Sequence, residues 1–122
     1  MSNVSILVVD DEPFSVDELV EAISEEGYGC LGAGSADEAL QILSRVDSLK
    51  VVLSDVKMPE KSGLDLLHEA QETAKPLKFI FMSGHTDSAQ EANWFEQGVV
   101  AALRKPIDLD LLFDELKKAL AL

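Results

Sequence analysis

Apolar residues in this chain cluster in short runs separated by longer stretches of helical spacing. Four runs predict buried strands: Ile6–Val9, Val51–Leu53, Phe79–Met82 and Val99–Leu103, with a weaker one at Tyr28–Ala33. Between them the spacing changes to that of helix faces. Val16, Leu19, Val20 and Ile23 form the first stripe, and Ala36, Ala39, Leu40 and Leu43 the second. Leu64, Leu67 and Ala70 give a third, and Ala89, Ala92 and Phe95 a fourth. Leu109, Leu112, Phe113, Leu116 and Leu120 give the fifth. Punctuation supports these boundaries. Pro13 suits a first helical turn, and Gly27 and Gly98 suit helix ends. Ser35 with Glu38 predicts a capping box, Ser62 with Asp65 a weaker version. Asp108 can cap the last helix once Pro106 has blocked an earlier start.

Strand and helix thus alternate five times in 122 residues. Strands buried on both faces and joined through helices form a parallel sheet with right-handed crossovers. The expectation is one α/β domain over residues 1–122. In such sheets a site forms beyond the carboxyl ends of the strands.

Composition narrows the function. A net charge of −13 repels phosphate backbones, so direct nucleic-acid binding is not expected. The single cysteine, Cys30, has no internal partner and reads as a small apolar residue of a reduced, cytoplasmic protein. The amino-terminal segment lacks the basic region and apolar length of a signal peptide, and no run approaches a membrane span. His68, His85 and Cys30 have no zinc-site spacing. The segment GYGCLG, Gly27 to Gly32, matches G-x-G-x-x-G literally. It follows a helix and enters a strand, the reverse of a dinucleotide site.

The chemistry lies at the predicted strand ends. The first strand runs into Asp10, Asp11 and Glu12, the third into Asp55, the fourth into Ser83 and the fifth into Lys105. Taken singly, each has a plain reading as a helix cap or a solvated loop residue. Together they suit one another. Crowded carboxylates repel, and a hard divalent cation such as Mg²⁺ relieves that with oxygen ligands. A carboxylate beside the ion can attack a phosphoryl group, and a lysine neutralises charge on its oxygens.

The series ILVVDDE, LSDVKMPEKSG, MSG and LRKP resembles the receiver domain of two-component response regulators, from Ile6 to about Leu120. The resemblance implies a flavodoxin-like, three-layer (βα)5 fold with sheet order 2-1-3-4-5. It implies that Asp55 is the phosphoacceptor and Ser83 the switch hydroxyl, with Lys105 pairing to the phosphoryl group or to Asp55. Asp10, Asp11, Asp55 and the backbone carbonyl of Lys57 would hold Mg²⁺, and the bond before Pro106 is commonly cis. The phosphoryl group would come from a sensor histidine kinase or a phosphotransfer protein and leave by hydrolysis. The outcome would pass to an output domain or target protein that the sequence does not name, and homodimerisation stays open. On this reading the chain is a signalling domain rather than a metabolic enzyme.

Some positions depart from the family's pattern. Where relatives usually carry a switch aromatic, three residues before the lysine, this chain has Ala102. Trp94 stands where a small residue is common, either as core filler or as a replacement for that ring. Lys57 and His85, two residues after Asp55 and Ser83, are expected to tune phosphate lifetime. Two rival readings are a degenerate receiver that binds partners without phosphate and an aspartyl-phosphate hydrolase. The intact acids and Lys105 argue against the first, while Ala102 keeps it open. Lys57, in place of a second acid, argues against the second.

Overall fold

The computed structural model describes residues 3–85 and 87–121. Five strands, β1 (Val4–Val9), β2 (Gly29–Ala33), β3 (Val51–Asp55), β4 (Lys78–Ser83) and β5 (Val99–Arg104), alternate with five helices. The helices are α1 (Pro13–Glu25), α2 (Ala36–Arg45), α3 (Gly63–Gln71), α4 (Ser88–Glu96) and α5 (Leu109–Ala121). All strand pairs are parallel, in the order β2-β1-β3-β4-β5. This is the flavodoxin-like order expected from the resemblance.

Period-two alternation explains the three layers. Leu7, Val9, Val52, Phe79 and Phe81 point to one face, where α2, α3 and α4 supply residues such as Leu43, Leu67 and Trp94. Ile6, Val8, Leu53, Ile80 and Met82 point to the other, against Leu19 and Ile23 of α1 and Leu112 and Leu116 of α5. Each fully buried side chain of this kind contributes about 1.5–3 kcal/mol. The central strands β1, β3 and β4, apolar on both faces, therefore anchor the fold.

Helix ends follow local chemistry with two differences. Gly27 and Gly98 lie just past α1 and α4 at φ 98° and 114°, where a side chain would be strained. Ser62 and Asp65 form the complete reciprocal box on α3. At α2 the box is displaced: Ser35 Oγ accepts from the Glu38 N–H, but the Glu38 carboxylate accepts from Gly34 rather than from Ser35. α4 is closed by Asp87 and Gln90, a pair not picked out from the sequence.

The face of α4 is a further correction. Ala89, Ala92 and Phe95 are not its buried stripe; Trp94 is the buried residue, and Phe95 is 47% exposed. One indole hides far more apolar area than two methyl groups, so it sets the rotation of a short helix. Its ring meets Phe81 edge-on, with centroids 5.4 Å apart. His68 is exposed yet bonds Gln97 at the end of α4, and Gln71 donates to the Gln97 carbonyl at 2.8 Å. α3 thus holds the carboxyl end of α4 through side chains whose partners lie too far along the chain to be read from spacing.

Cys30 is half-buried in β2, and burial pushes its thiol up to about 12. The folded chain then carries on the order of 1,000-fold less thiolate at pH 8 than an ordinary cysteine. A thiol reagent is expected to label it slowly in the native state and quickly in denaturant. Equal rates in the two states would refute the burial argument.

Candidate functional site

Backbone bonds just past the carboxyl ends of the strands tie β3 to β4, β4 to β5 and β1 to β2. Val56 N–H donates to the Met82 carbonyl at 3.2 Å, and Lys105 N–H donates to the Ser83 carbonyl at 2.9 Å. Asp10 N–H reaches across to Ala33 at 3.1 Å. The residues flanking these bonds are the ones the sequence singles out.

Asp10 has no exposed surface, which for a carboxylate demands full pairing. It has it. One oxygen accepts from the Glu12 N–H at 3.0 Å, and the other faces the Lys105 ammonium at 3.0 Å. Lys105 also reaches the Asp55 carboxylate, at 3.5 Å. The pairing expected for Lys105 with Asp55 is therefore present but secondary, because the fully buried acid has the greater need of a counter-charge. Asp11, next along the chain, is exposed.

Asp10, Asp11 and Asp55 can each offer a carboxylate oxygen such that all lie within 4.8 Å of one another. Three anions this close repel, and oxygen-only donors in a partly open cluster fit a hard cation that keeps some of its waters. The residues present therefore fit a metal ion. Electrostatics agrees: burial raises the Asp55 carboxyl above its usual value, Lys105 opposes this, Asp10 adds to it, and the Val56 N–H opposes it. Burial works against the Lys105 charge, but its hydrogen bond to Asp10 and the charges of Asp55 and Asp10 together raise it, so it stays cationic.

Ser83, 9% exposed, ends β4. Its hydroxyl donates to the His85 carbonyl at 3.2 Å and accepts from the His85 N–H at 3.3 Å, so it folds its own loop and does not cap α4. Lys57 and His85 are both exposed. The Lys105–Pro106 bond is cis.

The loop after Asp55 turns back on itself. Gly63 N–H donates to the Val56 carbonyl at 2.8 Å, and a Cβ on Gly63 would stand 2.6 Å from the Asp55 carbonyl oxygen. Only glycine permits that approach without a shift, so Gly63 closes the loop against the acid. Ala102 and Trp94 do come together: with Glu91, Leu103, Arg104 and Leu111 they line an open groove of about 290 Å³ between α4, β5 and α5. A second groove, about 340 Å³, runs from Asp10 and Lys105 between α1 and the start of α5. Ser54 is a residue that the sequence reading passed over: it is fully buried and donates to the Asp55 carbonyl. Its signal was a hydroxyl inside an otherwise apolar strand.

Comparison with known proteins identifies the family. The response regulator receiver domain family matches residues 6–117. The chain belongs to that family. Its sequence is 32% identical over 115 residues to the transcriptional regulatory protein GlrR of Escherichia coli, covering 94% of this chain and 26% of that protein. It is 35% identical over 117 residues to the sensor kinase CckA of Brucella abortus, covering 95% of this chain and 12% of that one. The chain thus spans about a quarter or less of these two relatives. A receiver protein from Pseudomonas putida superposes with TM-score 0.89 at 30% identity, covering 97% of this chain and 98% of the other. A receiver domain from Clostridium thermocellum gives 0.88 at 31%, with 95% and 93% covered. Receiver domains of this family belong to two-component signalling and occur in both sensor kinases and transcriptional regulators. Among the described residues no helix is long and apolar enough to cross a membrane.

Proposed function

We propose that this receiver takes a phosphoryl group onto Asp55 and releases it by hydrolysis, acting as a reversible signal rather than a metabolic enzyme. The observation that carries the reading is the juxtaposition of three carboxylates within 4.8 Å with the Lys105 ammonium 3.0 and 3.5 Å from two of them. Asp55 is the acid suited to attack. Asp10 is fully buried, with one oxygen on the Glu12 N–H and the other 3.0 Å from Lys105, whereas Asp55 is only partly buried, with Oδ1 on the Val56 N–H and Oδ2 farther from Lys105, at 3.5 Å. The donor is a phosphohistidine of a sensor histidine kinase or phosphotransfer protein: its N–P bond breaks as an O–P bond forms on Asp55. Water later attacks phosphorus and restores the carboxylate and free phosphate.

Asp10, Asp11, Asp55 and the backbone carbonyl of Lys57 would hold Mg²⁺, which supplies charge neutralisation at the phosphoryl oxygens. Lys105 supplies a further positive charge there. Ser83, at the adjoining strand end, would hydrogen-bond the attached group by turning its hydroxyl away from the His85 loop. The signal then passes to an output domain or target protein; the acidic surface disfavours nucleic acid as a direct ligand.

Incubation with acetyl phosphate and Mg²⁺ tests the reading. The expected result is one phosphoryl group per chain by intact mass, dependent on the metal and mapped to Asp55. No label, or label on another residue, would overturn it. Lys57 and His85 border the same end of the sheet as exposed side chains. Lys57→Ala or His85→Ala is expected to change the decay rate of the labelled protein severalfold while leaving labelling intact. Unchanged decay in both variants would remove them as timers.

A further inference from the structure

We propose that Ser54 is a positioning residue that sets the orientation of the Asp55 carboxylate; the inference rests on the reading of Asp55 as phosphoacceptor. Ser54 is fully buried, paired in the sheet between Val9 of β1 and Phe81 of β4, a slot that apolar side chains fill elsewhere in the strand. A buried hydroxyl is costly unless it is bonded. This one donates to the carbonyl oxygen of Asp55 at 2.8 Å. Gly63 closes in on that same oxygen, since a Cβ there would come within 2.6 Å of it.

The carbonyl belongs to the peptide group that joins Asp55 to Val56. The N–H of that peptide is held as well, donating to the Met82 carbonyl at 3.2 Å and to Asp55 Oδ1 at 2.9 Å. One peptide plane is therefore fixed at both ends, and its N–H fixes the carboxylate. With Oδ1 bound to Val56, Oδ2 is the oxygen turned toward Lys105, at 3.5 Å. Ser54 touches no reacting atom; it acts through the peptide. Without its hydroxyl the plane gains freedom to rock, the Val56 N–H leaves Oδ1 part of the time, and the carboxylate samples unproductive orientations. Small misplacements of a reacting group cost up to about a hundredfold in rate.

Three variants separate hydroxyl from volume. Ser54→Ala and Ser54→Val remove the hydroxyl, the second with added bulk, and Ser54→Thr keeps it with nearly the bulk of valine. The first measurement is amide hydrogen exchange at Val56 by NMR, without metal or phosphodonor. Exchange is expected to be about tenfold or more faster in Ser54→Ala and Ser54→Val, with Leu53 unchanged, and near parental in Ser54→Thr. The second is the labelling rate with saturating acetyl phosphate and Mg²⁺. It is expected to fall about tenfold in the Ala and Val variants and to recover in Ser54→Thr, with little change in the half-saturating donor concentration. Val56 exchange within about twofold of parent in Ser54→Val, or a threonine variant no better than valine, would overturn the proposal. If the parent takes no label at all, the phosphoacceptor reading falls, and the exchange comparison still decides whether Ser54 positions the carboxylate.

Discussion

Asp55→Asn is expected to abolish phosphoryl incorporation from acetyl phosphate, by at least about a thousandfold, because the neutral amide is a poor nucleophile and no other acid can substitute. Asp10 lies close enough, but both its oxygens are committed to Glu12 N–H and Lys105. Asp11 is exposed to solvent, whereas Lys105 reaches Asp10 and Asp55. Asp114→Asn, on the exposed side of α5, serves as the matched control and should label at the parental rate. The same variant makes a second, opposite prediction. Burial raises the Asp55 carboxyl above its unfolded value, so folding disfavours its charged form. The associated stability is present below the ordinary carboxylate pKa and lost as pH rises through the raised one. At neutral pH without divalent metal, Asp55→Asn should therefore melt no lower than the parent, and Mg²⁺ should stabilise it less. Loss of labelling together with a large fall in Tm would point instead to simple misfolding.

Trp94→Ala is expected to be the most destabilising substitution on α4, costing about 3 kcal/mol, the low end of the range for deleting a buried aromatic. The indole is 4% exposed and stacks edge-on against Phe81, whose own ring lies in the core between α3 and the sheet. The low end applies because one side of the ring borders the groove at Ala102, where water and neighbouring side chains can fill part of the space. For a domain of this size the loss corresponds to a fall in Tm on the order of 10 °C. Trp94→Phe should recover most of it, since a phenyl ring can keep the contact with Phe81. A melting temperature within a few degrees of parent in Trp94→Ala would show that α4 is held instead by His68 and Gln71 at its carboxyl end. Trp94 is the chain's single tryptophan, so its fluorescence also reports directly on this contact. A change on saturating phosphorylation would support its acting in place of the ring missing at Ala102; a flat signal would count against it.

Much of the molecule was legible from the chain alone. Unbroken apolar runs at Ile6–Val9 and Phe79–Met82 dictate strands covered on both faces, and both faces are in fact covered. Strand-ending residues are legible for the same reason: apolar runs stop where polar chemistry begins, so Asp10, Asp55, Ser83 and Lys105 announce the carboxyl edge. Weak periodicity misled at α4. Three small or exposed residues happened to share helical spacing, while a single large ring carried the burial. Ser54 was passed over because a hydroxyl inside an apolar strand signals a buried hydrogen bond but does not name its acceptor.

The sequence by itself determined which elements form, that they build a parallel sheet, and which acids and which lysine stand at its edge, because hydrophobic period and turn chemistry are local properties. Strand order came only through the resemblance. Distances came only from the tertiary structure. Residues 10 and 105 are at opposite ends of the chain, and only the β1–β3–β4–β5 ordering brings their charges to 3.0 Å. Only that packing decides that Lys105 serves Asp10 before Asp55, since burial of Asp10 is a three-dimensional fact. Likewise, only the fold presses Gly63 and Ser54 onto one carbonyl oxygen and so fixes the orientation of the acid between them.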